Sequence, residues 1–166
     1  MDKEGVFKQL YDEYRDRIYR MCCYYVSGED DRKDLYQEVL QNIWKGLERF
    51  RGESALSTWI YRVTVNSSLA FISKQKTKKK RSVEYSEQVL SDHGSEERNT
   101  GHRDIDLLYS AIAELPLLDM IIMSLVLEDA STKEIATATG LTESNVRVRI
   151  HRAKDRLKDL IEEEES

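Results

Sequence analysis

Four basic side chains stand close together near the C-terminal end of the sequence. The stretch SNVRVRIHRAK, residues 144–154, contains Arg147, Arg149, Arg152 and Lys154. A guanidinium group can donate two hydrogen bonds to a guanine edge, and both kinds of cation bind phosphates. The whole chain has a net charge of -5, with 31 acidic and 26 basic residues, so the basic stretch is a local feature. It predicts a surface that binds nucleic acid.

The residues before this stretch predict that it is the second helix of a helix-turn-helix. The segment Ser131-Thr132-Lys133-Glu134 has the form of a capping box. Gly140 follows where a left-handed residue would end a short helix, and Thr142 can cap the next one. The second helix of such a unit enters the major groove of DNA. For the basic stretch alone, a solvated amphipathic helix is the alternative. The residues predicted to contact DNA are Thr142, Ser144, Asn145, Arg147, Val148, Arg149, Arg152 and Lys154.

A second region of basic and aromatic residues lies in the N-terminal half. Trp59, Arg62 and Asn66 recur at helical spacing, and Lys74 begins a run of six basic residues that extends to Arg81. Aromatic rings beside cations suit single-stranded DNA, because bases stack on the rings and phosphates pair with the charges. From the residues alone, a solvated and frayed helix end is an equal alternative.

An acidic and amide face is predicted on a helix that precedes this region. Its residues recur at steps of three and four, and they are Asp34, Gln37, Glu38, Gln41 and Trp44. Because tryptophan often anchors protein interfaces, this face predicts a protein partner. Composition alone favours the alternative, in which the face is solvated and the ring of Trp44 lies in the core.

The elements that position these residues are expected to be helices, in an all-α fold. The chain of 166 residues has one proline and seven glycines, and its apolar residues recur at steps of three and four. The first helix is predicted to end at Gly28, and Asp30 or Asp31 to cap the second. The third helix is predicted to bury Leu56, Ile60, Val63 and Ala70, and Pro116 to stand in the first turn of a later helix.

Two domains and a linker are predicted from the change in composition along the chain. The segment 82–102 is rich in Ser, Glu, Asp and Gly, has no apolar period, and predicts a flexible acidic linker. We therefore expect two small helical domains, 1–81 and 103–166, of which the second contains the helix-turn-helix.

The sequence lacks the signals that are typical of several classes of protein. No apolar run approaches the ~18 residues of a membrane span, and the N-terminus has no signal-peptide pattern. Cys22 and Cys23 are adjacent, which disfavours a disulfide between them. The histidines His93, His102 and His151 are scattered, and neither a Gly-rich phosphate loop nor a Cys–His metal spacing occurs. We expect a cytoplasmic protein that is not an enzyme and has no cofactor or metal.

Two segments together resemble the extracytoplasmic-function (ECF) sigma factors, a group within the sigma-70 family. The sequence DLYQEVLQNIWKGLERFRGESALSTWIYRVTVNSS, residues 34–68, is similar to their second conserved region. The sequence LEDASTKEIATATGLTESNVRVRIHRAKDRLKDLI, residues 127–161, is similar to their fourth. The resemblance implies a subunit that binds core RNA polymerase and directs promoter-specific transcription initiation.

The resemblance also implies roles for individual residues. Those implied to dock on the clamp coiled coil of polymerase are Asp34, Gln37, Glu38, Gln41, Ile43 and Trp44. Those implied to bind the opened -10 element, in a loop that captures a flipped base and on the helix beside it, are Phe50, Arg51, Ser54, Trp59, Arg62, Asn66 and Lys74. The helix-turn-helix residues named above would read the -35 element as duplex. The implied partners are core polymerase (clamp coiled coil and flap), promoter DNA and an anti-sigma factor, with no small-molecule substrate.

The chain departs from the family pattern before the helix-turn-helix. Leu117-Leu118-Asp119-Met120 stands where members commonly have a basic residue, and the common Gly before the capping Ser is absent. Two rival interpretations remain open from the residues. A stand-alone helix-turn-helix regulator would explain the C-terminal half but not the segment from Asp34 to Asn66. A helical adaptor would bind no nucleic acid at all.

Overall fold

The computed structural model describes residues 2–85 and 103–166, with the backbone alone for 80–85. The part of the predicted linker from 86 to 102 lies outside the described residues. The described elements are α1 (Lys3–Tyr25), α2 (Glu29–Gly46), a 3-10 turn (Leu47–Arg49), α3 (Leu56–Tyr85), α4 (Arg103–Ala113), α5 (Leu117–Leu127), α6 (Thr132–Thr139) and α7 (Glu143–Glu165). All are helical, which confirms the predicted all-α fold. The first four residues of the predicted linker continue α3.

Helices α1, α2 and α3 pack against one another around an aliphatic core. Its fully buried side chains include Ile18, Met21, Leu35, Val39, Ile43 and Ile60. On α3, small polar residues share the buried side: Thr64 and Ser68 donate their hydroxyls to the carbonyls of Ile60 (2.8 Å) and Thr64 (2.7 Å). These bonds satisfy both hydroxyls inside the helix, so neighbouring helices can approach closely.

Three boundary and burial predictions for this half are wrong in detail. Helix α1 ends at Tyr25, and Gly28, which has a φ of 98°, precedes α2 directly. Asp30 and Asp31 consequently lie inside the first turn of α2, where carboxylates interact favourably with the helix dipole. Ala70 is exposed, because Thr64 and Ser68 take the buried positions that the apolar pattern assigned to other residues.

Helices α4 to α7 form the second half and contain the predicted helix-turn-helix. The Ser131 hydroxyl accepts a hydrogen bond from the Glu134 N–H (3.1 Å) and caps α6. Gly140 ends α6 with a φ of 77°, a left-handed conformation that glycine adopts without strain. Thr142 caps α7 by accepting from the Asn145 N–H at 3.1 Å. Pro116 is the residue before α5 and lies just outside its first turn.

The two halves pack directly on each other. Arg20 on α1 donates two hydrogen bonds of 2.9 Å to the carboxylate of Glu128, whose side chain is 3% exposed. The Tyr61 hydroxyl donates to the Glu128 carbonyl (3.4 Å), and the rings of Tyr24 and Tyr109 lie 4.6 Å apart. The sequence predicted two tethered units and gave no sign of this contact.

Within the described ranges, no helix is both long and apolar enough to cross a bilayer.

Candidate protein and nucleic-acid interfaces

The predicted polymerase-binding face forms one side of α2. Asp34, Gln37 and Gln41 are exposed, and Glu38 is half-buried. Ile43 is the exception, because its side chain is fully buried among the helices of the first half. Ile43 is therefore a core residue, and the prediction that its side chain contacts polymerase is wrong, because the side chain is not accessible.

Trp44 lies at the edge of this face and is held by the start of α1. Its ring meets Phe7 edge-on, with centroids 5.2 Å apart and an interplanar angle of 88°. The Lys3 ammonium lies 4.3 Å from the ring centroid and also pairs with Glu48 at 2.9 Å. Trp44 is half-buried, so its ring packs on the protein in part and remains in part accessible, and its contact with a protein partner stays a prediction.

An aromatic pair joins the loop after α2 to the start of α3. The rings of Phe50 and Trp59 lie 5.1 Å apart with an interplanar angle of 37°. A Cβ at Gly46 would come within 3.0 Å of the Trp59 ring, so the glycine lets the indole lie against the end of α2. Sequence reasoning missed Gly46, because the contact joins residues on different helices. Both rings are half-buried, which leaves each one partly open to a base.

Polar and basic side chains continue from this pair along α3. Arg62, Asn66 and Lys74 are all exposed and recur at multiples of four residues, so they lie on one side of the helix over about 18 Å. In the part of the chain that the structure describes, neither Arg62 nor Lys74 forms an ion pair. Arg51 is exposed and Ser54 is half-buried in the loop between α2 and α3. The structure thus brings the seven predicted -10 residues together on one loop and one helix.

The eight predicted -35 residues all lie at the cap or along the first half of α7. Ser144, Asn145, Arg147, Arg152 and Lys154 are exposed, and so is Val148, which leaves 47% of an apolar residue open to solvent. The opposite side of the helix holds the core residues Val146, Ala153 and Leu157. Thr142 is exposed too; its hydroxyl oxygen accepts the cap hydrogen bond, so its O–H can still donate to a further acceptor.

Two arginines of α7 are paired with acids, and the pairs differ. Arg147 contacts Glu143 one turn earlier at 3.5 Å, in an open and solvated pair. Arg149 Nη1 donates to the Asp119 carboxylate on α5 at 3.1 Å, and its Nε donates to Asn145 Oδ1 at 3.2 Å. Arg149 is therefore fixed from two sides. Its link to Asp119 is a contact that sequence spacing did not reveal.

The side chain of Glu134 makes a different contact from the one that the capping-box pattern predicts. Its carboxylate accepts from the Ser57 hydroxyl at 3.4 Å, across the boundary between the halves. The sequence predicted that this side chain would turn back to the cap of its own helix. An acidic group from the helix-turn-helix consequently contacts the first turn of α3, the helix that carries Trp59, Arg62, Asn66 and Lys74.

Neither cysteine is set up for thiol chemistry. Both are free, and burial raises the pKa of the Cys22 thiol to about 12. Burial also raises the pKa of Cys23. Thiolates are the reactive form, so little of either residue is reactive near neutral pH.

Comparison with known proteins identifies both halves of the chain by family. Residues 10–78 match Sigma-70 region 2, which takes in α2 and most of α3. Residues 105–157 match Sigma-70 region 4, which takes in the helix-turn-helix. The chain belongs to the sigma-70 family. Its relatives place it in the ECF group, and it is a sigma factor that directs transcription initiation with core RNA polymerase.

The similarity of this sigma factor to its relatives extends over nearly the whole chain. It is 28% identical to the RNA polymerase sigma factor SigV of Bacillus subtilis, covering 85% of this chain and 82% of that one. It is 28% identical to the ECF RNA polymerase sigma-E factor of Haemophilus influenzae, covering 97% and 89%. The fold matches that of RpoE from Bartonella quintana, solved with the anti-sigma factor NepR, with a TM-score of 0.71 at 22% identity, covering 95% and 97%.

Proposed function

We propose that this sigma factor performs initiation through three separate surfaces. The first is the α2 face of Asp34, Gln37, Glu38, Gln41 and Trp44, which binds the clamp coiled coil of polymerase. What supports it is a row of exposed acid and amide groups beside a fixed tryptophan ring, because such rings contribute strongly to interface affinity.

The second surface binds the opened strand of the -10 element. It consists of the Phe50–Trp59 pair with Arg51, Ser54, Arg62, Asn66 and Lys74. The two partly open rings can stack on unpaired bases, and the exposed cations can follow the phosphates. Capturing a flipped base costs least where the duplex already opens, so this surface holds melted DNA without any covalent chemistry.

The third surface reads the -35 element in duplex form. The exposed side of α7 carries arginines for guanine edges, Asn145 for adenine, and Val148 for a thymine methyl group. Thr142 and Lys154, at the two ends of the surface, set the register on phosphates. Region 4 also contacts the polymerase flap in this proposal. Residues 1–81 and 103–166 act as the two functional units.

The observation that carries the proposal is that one chain combines a partly open aromatic pair beside exposed cations with a helix-turn-helix. An aromatic pair beside unpaired cations suits a single strand, whereas a helix-turn-helix suits a duplex. A stand-alone regulator needs only the second, and an adaptor needs neither. Binding to polymerase and DNA at these surfaces requires no catalytic group. In this proposal the chain therefore acts as a specificity subunit and not as an enzyme. Its proposed partners, DNA and polymerase, support a cytoplasmic location.

Run-off transcription tests the proposal directly. The purified full chain is added to core polymerase that lacks other sigma factors, together with a library of genomic DNA fragments. We expect defined transcripts whose upstream sequences share two elements. Polymerase retention by the chain without any transcript would support only an adaptor, and DNA binding without polymerase retention would support the regulator.

We further propose that a protein inhibitor holds this sigma factor inactive, as NepR accompanies RpoE in the solved complex. The contacts between the halves support this, because they bind Glu134 of the helix-turn-helix to Ser57 in the first turn of α3, two residues before Trp59 of the proposed -10 surface. The tagged chain, purified from its own cells, should bring down a protein that stops run-off transcription when added back. A co-purified fraction that leaves transcription unchanged would contradict the proposal.

A further inference from the structure

The ion pair between Asp119 and Arg149 places a carboxylate at the edge of the proposed -35 surface. Asp119 lies in the first turn of α5, and its Oδ1 accepts from Arg149 Nη1 at 3.1 Å. The two side chains are 19% and 35% exposed. An acid beside a DNA-binding surface repels phosphates, so affinity alone gives no reason for its presence.

The geometry around Arg149 supplies a different reason. Its Nε donates to Asn145 Oδ1 at 3.2 Å while Nη1 is held by Asp119, so the guanidinium plane is fixed at two points. Of the five N–H donors of a guanidinium group, three remain available, including both on Nη2. An arginine that is already oriented loses less side-chain freedom when it binds, and it binds well only where acceptors match its fixed direction.

We propose that Asp119 is a positioning residue that makes Arg149 select one base pair of the -35 element. The inference rests on the proposed function of α7. Asp119 touches no DNA in this account and acts only through the guanidinium that it orients. It exchanges some general affinity for discrimination between sequences. This role also accounts for an acidic residue, Asp119, in the segment where family members commonly have a basic residue.

Glu143 offers a closely matched control within the same structure. It too lies in the first turn of its helix, and it too pairs with an arginine of α7, Arg147, at 3.5 Å. That pair is one turn apart on a single helix and is much more exposed, at 62% and 45%. The variants E143Q and D119N therefore each remove one negative charge from the first turn of a helix, but only D119N releases an arginine held between two helices.

The experiment measures base preference with intact holoenzyme. A promoter found by run-off transcription is rebuilt as a library with its upstream element randomised, and transcripts from wild type, D119N, E143Q and D119E are sequenced. For D119N we expect the preference at one base pair, or at two adjacent ones, to fall from about tenfold to about twofold, which is the scale of a lost bidentate contact. D119E should recover part of the preference, and E143Q should retain the wild-type profile.

Two further measurements separate positioning from a merely structural role. D119N should bind a short duplex of unrelated sequence about twofold more tightly than wild type, because a repulsive charge has gone. In an R149A background, D119N should cause no further change in the profile. Loss of α5 stability would instead weaken every position equally and lower the melting temperature of the variant.

The outcomes distinguish this inference from the proposed function. If wild type shows a clear upstream preference that D119N leaves intact, or flattens uniformly, the positioning role is wrong and the proposed function stands. If wild-type holoenzyme shows no upstream preference at all, the proposed reading of the -35 element fails, and the role of Asp119 fails with it.

Discussion

The two helices that carry the proposed nucleic-acid surfaces, α3 and α7, are built in opposite ways. On α7, Arg147 and Arg149 are paired with acids of the protein before any DNA is present. On α3, Arg62 and Lys74 are exposed and have no acidic partner among the described residues. The fixed group on α3 is aromatic instead: the Trp59 ring packs against Phe50 and against Gly46, which has no side chain to displace it.

This difference matches the physical state of the DNA that each helix would meet. A duplex presents base edges at fixed positions, so oriented donors gain specificity. An opened strand is flexible and offers ring faces and phosphates, so a stacking platform with loosely held cations serves it better. A rigidly held cation on α3 would gain little specificity, because the phosphates of an opened strand move. An exposed ring on α7 would have no base face to stack on, because the major groove of a duplex presents only base edges.

The strongest test of the comparison asks whether the two helices belong to one cooperative unit. Replacing Arg20 with Ala leaves the buried Glu128 carboxylate without its partner, and we expect a loss of about 3 kcal/mol in the free energy of unfolding. Urea denaturation of the full chain, followed by circular dichroism, measures it. Arg15 lies on the same helix but pairs with Asp16 in the open, at 3.9 Å, so R15A should cost under about 0.5 kcal/mol. Equal effects of the two substitutions would show that the Arg20–Glu128 pair stabilises the fold no more than an exposed pair does.

The aromatic platform predicts the next largest effect. In W59A holoenzyme, open-complex formation should fall about tenfold to a hundredfold, because stacking contributes about 1–3 kcal/mol per base. Permanganate reactivity of the melted strand measures it. W59F retains a ring and should retain most of the activity, and core-polymerase binding should be unchanged in both variants. If W59F is as defective as W59A, the indole has a role other than stacking.

Thr142 allows capping and DNA contact to be separated on α7. Losing its hydroxyl removes the bond from the Asn145 N–H, so T142A should lower stability by about 1 kcal/mol, and T142S should restore it. S131A removes the equivalent cap of α6, at a residue with no proposed DNA contact. Thermal melting should show similar losses for the two alanine variants, while only T142A weakens binding to -35 duplex. Unchanged duplex binding by T142A would restrict Thr142 to its cap.

Local rules predicted much of this molecule, because they act within one turn of helix. The caps at Ser131 and Thr142 and the left-handed Gly140 follow from backbone groups that need partners nearby. The line formed by the half-buried Trp59 and the exposed Arg62 and Asn66 follows from helical spacing alone. The surfaces themselves were therefore largely visible in the sequence.

The unpredicted features join residues that are far apart in the chain. Arg20 and Glu128 are separated by 108 positions, and Arg149 and Asp119 by 30. Periodicity says which side of a helix is apolar but not which other helix covers it, so neither pair was visible. Ile43 is a different case: helical spacing turns its side chain into the core, and only the family pattern assigned it to polymerase together with its exposed neighbours.

The smallest expected effect concerns a single phosphate contact on α3. In K74A holoenzyme, binding to a fork-junction promoter should weaken only about twofold to threefold at moderate salt, and the slope of log affinity against log salt should become shallower by about 0.7, the value for one single-strand phosphate. Fluorescence anisotropy at several salt concentrations measures both. Because Lys74 has no described partner to orient it, the loss should be alike for all promoter sequences, whereas R149A should weaken some sequences far more than others. A sequence-dependent loss in K74A would show that a cation of α3 also reads bases, and the contrast between the two helices would then fail.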